Sequence, residues 1–229
     1  MIYIQAFFVF LIMFFHTHPY TPYIPKGATK LIVGTLPPPR FTTGKLLEGD
    51  VDFCYGSRDG QLWHILNRIF DLNLRFDTTR EAINQRLEFL DTHQIGICDI
   101  VESCQRLVID ASDLGMQNLQ LRDLIGYIRK YHGIHTLLFT GGNSKNGPEY
   151  LFRRHLKEHE IRLELLSDKT PRIHRFTLDG RIIKTVSLTA PSGSANRAVG
   201  SNPEYQQLKR KTPEFNTIDF RVRQYREYF

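Results

Sequence analysis

The segment 31–36, with the sequence LIVGTL, runs directly into three consecutive prolines and Arg40. An apolar run that ends in glycine and prolines predicts a buried strand followed by a stiff turn. A second segment of this kind, VSLTAPSGSANRA at 186–198, passes from apolar residues into small polar ones. Because ligands of α/β folds bind at the carboxyl ends of the strands, both segments predict one crevice at that edge of a sheet.

Short apolar segments that predict buried strands alternate with amphipathic segments that predict helices. The predicted strands are 30–33, 95–104 and 134–140, with a hairpin over 172–188 that turns at Asp179-Gly180. The predicted helices start after Asp59 and after Thr78 or Thr79, and two more cover 118–133 and 148–159. This alternation is typical of a three-layer α/β/α fold around a central, mostly parallel sheet.

Length and composition indicate one domain. The 229 residues, of which 41% are hydrophobic and 24% charged, are enough to bury a substantial core. We assign residues 16–229 to a single domain with a basic C-terminal tail, and residues 1–15 to an apolar N-terminal extension, with Met13 as an alternative start. The apolar run is too short to cross a bilayer as a helix, so we expect no membrane association.

Charge and cysteine content narrow the classes of partner. The formal net charge of +6 favours a polyanion, and the tail 196–229 carries seven Lys or Arg residues against four acidic ones. The three cysteines form no CxxC pair, and the nine histidines show no HExxH spacing. The chain cannot supply four thiolates for a zinc site or an iron–sulfur cluster. We therefore predict a cytoplasmic protein that uses no metal and no cofactor.

Five segments, taken in order, carry a family resemblance: GTLPP, YGSRDGQLWHIL, GICDIVESCQR, LLFTGG and APSGSAN. Together they resemble the motifs of the uracil-DNA glycosylase superfamily, most closely its deoxyinosine and mismatch-specific branches. The resemblance covers residues 31–198. It implies a domain of that fold that binds DNA, extrudes one nucleotide and hydrolyses the bond between a deaminated base, uracil or hypoxanthine, and its sugar. We expect a monomer, associated with the nucleoid if the source is bacterial.

The resemblance also implies a pocket for the extruded base. Tyr55 matches the aromatic residue that stacks on the base, and Asp99 falls where the family places a residue facing the base edge. Backbone amides of Thr35 and Leu36, beside Gly34, would stabilise negative charge on the leaving base. Two alternatives need no ligand: Tyr55 anchors its loop over the core, or Asp99 is a buried carboxylate bound to local backbone amides.

DNA contacts are implied at the last motif. Ser192, Ser194 and Asn196 match the family motif that grips the DNA backbone near the extruded nucleotide. Arg197 follows directly and is positioned to approach the strand. Phosphate contacts from the basic tail would add affinity that does not depend on sequence.

The chain departs from the family pattern at both usual catalytic positions. The asparagine that orients water in deoxyinosine-type members falls on Gly60, and the histidine of the uracil-specific branch falls on Ala190. Asp59, one position before Gly60, is the candidate catalytic general base. Its alternative role is the N-cap of the following helix. The corresponding alternative for the whole protein is a module that binds DNA, a damaged base or a nucleotide without hydrolysis.

Overall fold

The computed structural model describes residues 13–229. The strands are β1 (Phe14–Thr17), β2 (Lys30–Val33), β3 (Ile95–Ile97), β4 (Val101–Arg106), β5 (Gln117–Leu121), β6 (Thr136–Phe139), β7 (Glu164–Ser167), β8 (Arg172–Leu178) and β9 (Arg181–Ser187). The helices are α1 (Pro39–Thr42), α2 (Leu62–Phe70), α3 (Arg80–Thr92), α4 (Leu124–Lys130), α5 (Pro148–Glu158), α6 (Asn196–Gly200), α7 (Pro203–Lys211) and α8 (Thr217–Arg226). None of the helices in this part of the chain is long and apolar enough to cross a membrane.

The main sheet has six strands in the order β3-β2-β6-β9-β8-β7. Strands β3, β2, β6 and β9 run parallel, whereas β8 and β7 are antiparallel additions at one edge. The predicted hairpin is confirmed, since β8 and β9 turn at Asp179 and Gly180 with φ angles of 50° and 77°, the positive values that a type I′ turn requires. The mostly parallel α/β architecture predicted from the sequence is confirmed.

Helices cover both faces of this sheet, which is why its central strands are apolar on both sides. Along β2, Leu31 and Val33 pack into the core with α4 and α5, whereas Ile32 packs into the opposite core with α2, α3 and α8. This alternation follows from the two-residue period of a strand. The two layers hold the carboxyl ends of the parallel strands at one open edge.

A second, smaller sheet was not expected. The predicted strand 95–104 is divided: β3 belongs to the main sheet, and β4 leaves it to pair antiparallel with β1 and β5. Asp99 lies between the two strands. The chain therefore passes from the main sheet to the small sheet at Asp99.

The predicted helix over 118–133 was wrong in its first part. Residues 117–121 form β5 because QNLQL alternates polar and apolar positions, a strand period, and pairs with β4. The helix α4 begins only after Asp123, whose side chain accepts a hydrogen bond from the amide of Gly126. The aspartate is an N-cap, and the helix starts where the cap is.

Two further predictions concern helix starts. Thr79 caps α3, with its hydroxyl accepting from the Ala82 amide. The N-cap role of Asp59 was wrong: α2 begins after Gln61, which makes no side-chain cap bond. Asp59 therefore lies in the loop before the helix.

The N-terminal prediction falls largely outside the described residues. Residues 1–12 are not described, and Phe14 and Phe15 form the start of β1, paired with β4. The extension over 1–15 and the alternative start at Met13 stay predictions.

An aromatic cluster on the α5 face gives a test of the core. Phe152 of α5 is fully buried, and its ring lies 5.2 Å from that of Phe139 and 5.5 Å from that of Phe176. We expect Phe152→Ala to lower the free energy of unfolding in urea by about 3–5 kcal/mol, through lost burial and a residual cavity. Phe15→Ala, at a side chain 61% exposed, is the control. Equal losses for both variants would contradict the assigned core.

Candidate active site at the carboxyl edge of the sheet

A cleft of about 520 Å³ opens at the carboxyl ends of β2, β6 and β9. It brings together predicted site residues from four separate motifs: Thr35, Leu36, Tyr55, Asp59, Asp99, Ser192 and Ser194. Gly34 lies against Tyr55 and Asp99, and Asn196 and Arg197 lie outside the lining of the cleft. The first and last motifs thus meet at one sheet edge.

Asp99 is the most heavily hydrogen-bonded residue of the cleft and is only 5% exposed. Its Oδ1 accepts from the Gly34 amide at 2.8 Å and from the Tyr55 hydroxyl at 2.7 Å. Its Oδ2 lies 3.0 Å from Nε2 of His18. Since Nδ1 of His18 accepts from the Tyr20 amide at 3.1 Å, Nε2 carries the ring proton and donates to Asp99. The backbone amide that binds Asp99 belongs to Gly34, at the end of the neighbouring strand β2, and not to the local backbone.

Gly34 allows Tyr55 to reach the floor of the cleft. A Cβ on Gly34 would lie 2.2 Å from the Tyr55 hydroxyl and 2.9 Å from Oδ1 of Asp99. Tyr55 itself adopts a φ of 58°, uncommon for an aromatic residue. Burial, together with the charge of Asp99, raises the pKa of Tyr55 well above its usual range, so the hydroxyl stays a donor. Tyr55 thus anchors its loop through the hydroxyl and also lines the cleft.

Asp59 lies at the rim of the cleft with 71% of its side chain exposed. Its Oδ2 is 3.2 Å from Nη2 of Arg40. Arg40 is held in turn by Asp50, with two hydrogen bonds of 2.8 Å, and by the Ser57 hydroxyl. Burial opposes ionisation of Asp50, but hydrogen bonds from Arg40 and from two backbone amides lower its pKa to about 2. A permanently charged Asp50 keeps Arg40, and through it Asp59, in place.

The loops of the two distant motifs are joined across the cleft. Gly60 and Ser192 form an antiparallel bridge, and the Gln61 amide donates to Pro191 O at 2.8 Å. The positions that depart from the family pattern, Gly60 and Ala190, both line the cleft. Neither offers a functional side chain, so any acid or base must come from another residue.

Arg221 of α8 fixes the last motif from behind. Its fully buried guanidinium donates to Ala190 O at 2.8 Å, to Ser192 O at 3.0 Å and to Oδ1 of Asn196 at 3.0 Å. Asn196 is consequently bound within the protein. Arg197 is exposed in α6. Asn196 is thus engaged by Arg221, whereas the hydroxyls of the half-buried Ser192 and the exposed Ser194 lie 2.8 Å from each other.

Asp113 is a cleft residue that the sequence did not indicate. It lies in a short 3₁₀ turn between β4 and β5, and its Oδ1 accepts from the Thr35 hydroxyl at 2.8 Å. Burial raises the pKa of Asp113 to about 6, with a smaller contribution from Asp99, against opposing effects of Thr35 and Arg106. The sequence did not indicate His18 either. A contact between residues that are far apart in the chain produces no recognisable spacing in the sequence.

The sheet is mostly parallel, helices cover both of its faces, and the cleft lies at the carboxyl ends of its parallel strands. A solution NMR structure described as "a putative Uracil DNA glycosylase from Methanosarcina acetivorans" is similar to this chain with a TM-score of 0.51. The likeness covers 90% of this chain and 98% of that one, at 13% sequence identity. No protein-family model and no curated protein matches the sequence. The likeness therefore establishes the fold.

The raised pKa of Asp113 predicts a pH-dependent stability. An unfolded Asp has a pKa near 3.8, so the native protein binds more protons than the unfolded chain between about pH 4 and 6, and stability falls as pH rises through this window. We expect Asp113→Asn to abolish that fall. Between pH 4 and 7, the free energy of unfolding of the variant, measured in urea, should therefore rise by about 2 kcal/mol relative to that of the wild type. A difference between the two proteins that does not change with pH would contradict this assignment.

Proposed function

We propose that the chain is a monofunctional DNA glycosylase that removes a deaminated base, uracil or hypoxanthine, from an extruded nucleotide during base-excision repair. One observation carries the proposal: motif segments more than 150 residues apart converge on a single cleft at the carboxyl edge of the sheet. A cleft of about 520 Å³ is within the range of small-ligand sites. The resemblance to the deoxyinosine and mismatch-specific branches supports the choice of bases.

Stabilisation of the leaving base is assigned to the loop after β2. Among residues 13–229, the backbone amides of Thr35 and Leu36 have no hydrogen-bond acceptor, whereas the Gly34 amide is used by Asp99. Hydrolysis of the N-glycosidic bond places negative charge on the base, and fixed amide donors stabilise such charge without reorganisation. Tyr55 and Asp99 then form the floor against which the base rests.

Activation of water is assigned to Asp59. Its carboxylate reaches the rim of the cleft and is oriented by Arg40. Asp113 is a further carboxylate of the cleft, beside Asp59 and Asp99, and its pKa of about 6 is close to that of an acid or base that works near neutral pH. The carboxylates of Asp59 and Asp113 also stabilise the positive charge that develops on the sugar.

DNA contacts are assigned to the outer side of the last motif. The hydroxyls of Ser192 and Ser194 and the exposed Arg197 suit a phosphate backbone. The C-terminal turn of α7 adds three basic residues, Lys209, Arg210 and Lys211. Asn196 is expected to act indirectly, because Arg221 holds its amide oxygen. The proposed protein works as a monomer in the cytoplasm, at the nucleoid in a bacterium, with neither metal nor cofactor in the reaction.

The second candidate is a binding module of the same fold without hydrolysis. It is favoured by one observation, that Gly60 and Ala190 line the cleft where the family resemblance expects an asparagine and a histidine. Such a module would recognise DNA, a damaged base or a nucleotide in the same cleft.

Cleavage of labelled oligonucleotides distinguishes a glycosylase from a binding module. The substrates carry uracil, hypoxanthine or xanthine, in single strands and in each mismatch, and alkali cleaves the abasic product. We expect cleavage by the wild type and a rate at least about 100-fold lower in Asp59→Asn, the loss typical of removing a general base. The matched control is Asp179→Asn, since Asp179 is also exposed and paired with an arginine but lies at the hairpin turn.

Three outcomes would change the assignment. If Asp113→Asn lowers the cleavage rate and Asp59→Asn does not, Asp113 is the general base. If Asp59→Asn and Asp179→Asn lose rate equally, Asp59 has no specific role. If no substrate is cleaved while the protein retards the same oligonucleotides in a gel, the binding module is correct.

A substitution behind the floor of the cleft tests the pocket itself. Gly34→Ala places a methyl group 2.2 Å from the Tyr55 hydroxyl, so Tyr55 must leave Asp99 and enter the cleft. We expect loss of cleavage, or of oligonucleotide binding, by about 100-fold or more. Gly142→Ala is the control, because Gly142 also follows a parallel strand but has open space around its Cβ position. An active Gly34→Ala variant would contradict the proposed floor.

A further inference from the structure

A group of potential metal ligands lies outside the cleft, where α5 ends beside the start of α4. Asp123 is the N-cap of α4, and His155 and His159 stand one helical turn apart at the end of α5. The ligand atoms of the three side chains all lie within 4.8 Å of one another. The two histidines are at positions i and i+4, so they share one face of the helix.

The distances are close to those of a bound ion. Oδ1 of Asp123 lies 3.6 Å from Nε2 of His155 and 4.0 Å from Nε2 of His159. In a tetrahedral zinc site with bonds of about 2.0–2.1 Å, ligand atoms are about 3.4 Å apart. The two distances measured from Oδ1 of Asp123 exceed that spacing by only about 0.2 and 0.6 Å.

The contacts of His155 fix its tautomer, and coordination would replace the Ile125 amide at its Nε2. His155 is 5% exposed, and its Nε2 accepts a long hydrogen bond of 3.4 Å from the Ile125 amide, so this nitrogen carries the lone pair. The proton is then on Nδ1, which lies 3.8 Å from Oε2 of Glu158. A carboxylate near the second nitrogen of a metal-binding histidine holds the required tautomer.

Local electrostatics favour a cation at this place. The two histidines lie at the C-terminal end of α5, and helix C-termini attract positive charge. The carboxylate of Asp123 adds a full negative charge.

We propose that Asp123, His155 and His159 bind one divalent first-row transition-metal ion, Zn²⁺ foremost, with water at the remaining position. Two imidazoles and one carboxylate are a donor set that suits zinc and does not suit Mg²⁺. The ion joins the end of α5 to the start of α4 and stabilises the fold. This site is separate from the cleft, and its test does not depend on the proposed reaction.

The test is titration of the full chain, freed of metal with EDTA, with zinc chloride in a calorimeter. We expect one ion per chain with a dissociation constant on the order of 10 µM or below, and a thermal midpoint higher by several degrees at saturating zinc. Cobalt(II) reports on geometry, since a four-coordinate site gives strong visible absorption. Magnesium chloride should leave the midpoint unchanged.

The variants separate a built site from binding by surface histidines. His159→Gln should weaken zinc binding at least about 100-fold, and Glu158→Gln about 10-fold. Asp123→Asn keeps the helix cap, because asparagine caps as well as aspartate, but removes the charge of the ligand. The control is His132→Gln, at an exposed histidine outside the cluster.

The proposal is wrong if zinc neither binds in a one-to-one ratio nor raises the thermal midpoint. It is also wrong if His159→Gln and His132→Gln bind zinc equally well, since that result assigns the binding to scattered surface groups. Unchanged midpoints of the metal-free variants, measured in EDTA, show that they fold and that any lost affinity reflects lost ligands.

Discussion

The carboxylate of Asp99 accepts hydrogen bonds from three parts of the chain that are far apart in sequence. The Gly34 amide comes from the end of β2, the Tyr55 hydroxyl from the loop before α2, and His18 from the segment after β1. A buried carboxylate needs such donors, because leaving it unsatisfied is costly. The floor of the cleft is thus assembled by the requirement to satisfy one charge, and any function of the cleft depends on it.

Arg221 has the same role on the opposite wall. Its buried guanidinium binds two carbonyl oxygens and one side-chain oxygen of the loop that contains the last motif. A fork of fixed donors suits this task better than a flexible lysine. The wall therefore depends on α8, a helix at the C-terminal end of the chain that no motif analysis connected to the site. Removal of that helix would leave Ala190 and Ser192 without their support.

The parts of the site predicted from the sequence are those with local signals. Strand β2, the glycine and prolines after it, Tyr55 and the serines of the last motif have spacing that can be read directly, and the structure places them at one cleft. Of the two roles predicted for Asp59, the helix cap was wrong because α2 starts two residues later, and the general base stays a prediction. The proposed zinc site had only a partial signal, the four-residue spacing of His155 and His159, because Asp123 is 32 residues before His155.

The sequence by itself determined strands β2, β6, β8 and β9 and helices α2, α3 and α5, because the period of apolar residues is a local property of a strand or helix. It also determined where the parallel strands end, through glycine and proline. Tertiary structure alone brought His18, Asp113 and Arg221 to the site, since the site residues that they bind lie between 25 and 81 residues away. Such contacts depend on how sheets and helices pack, and no periodic pattern along the chain encodes them.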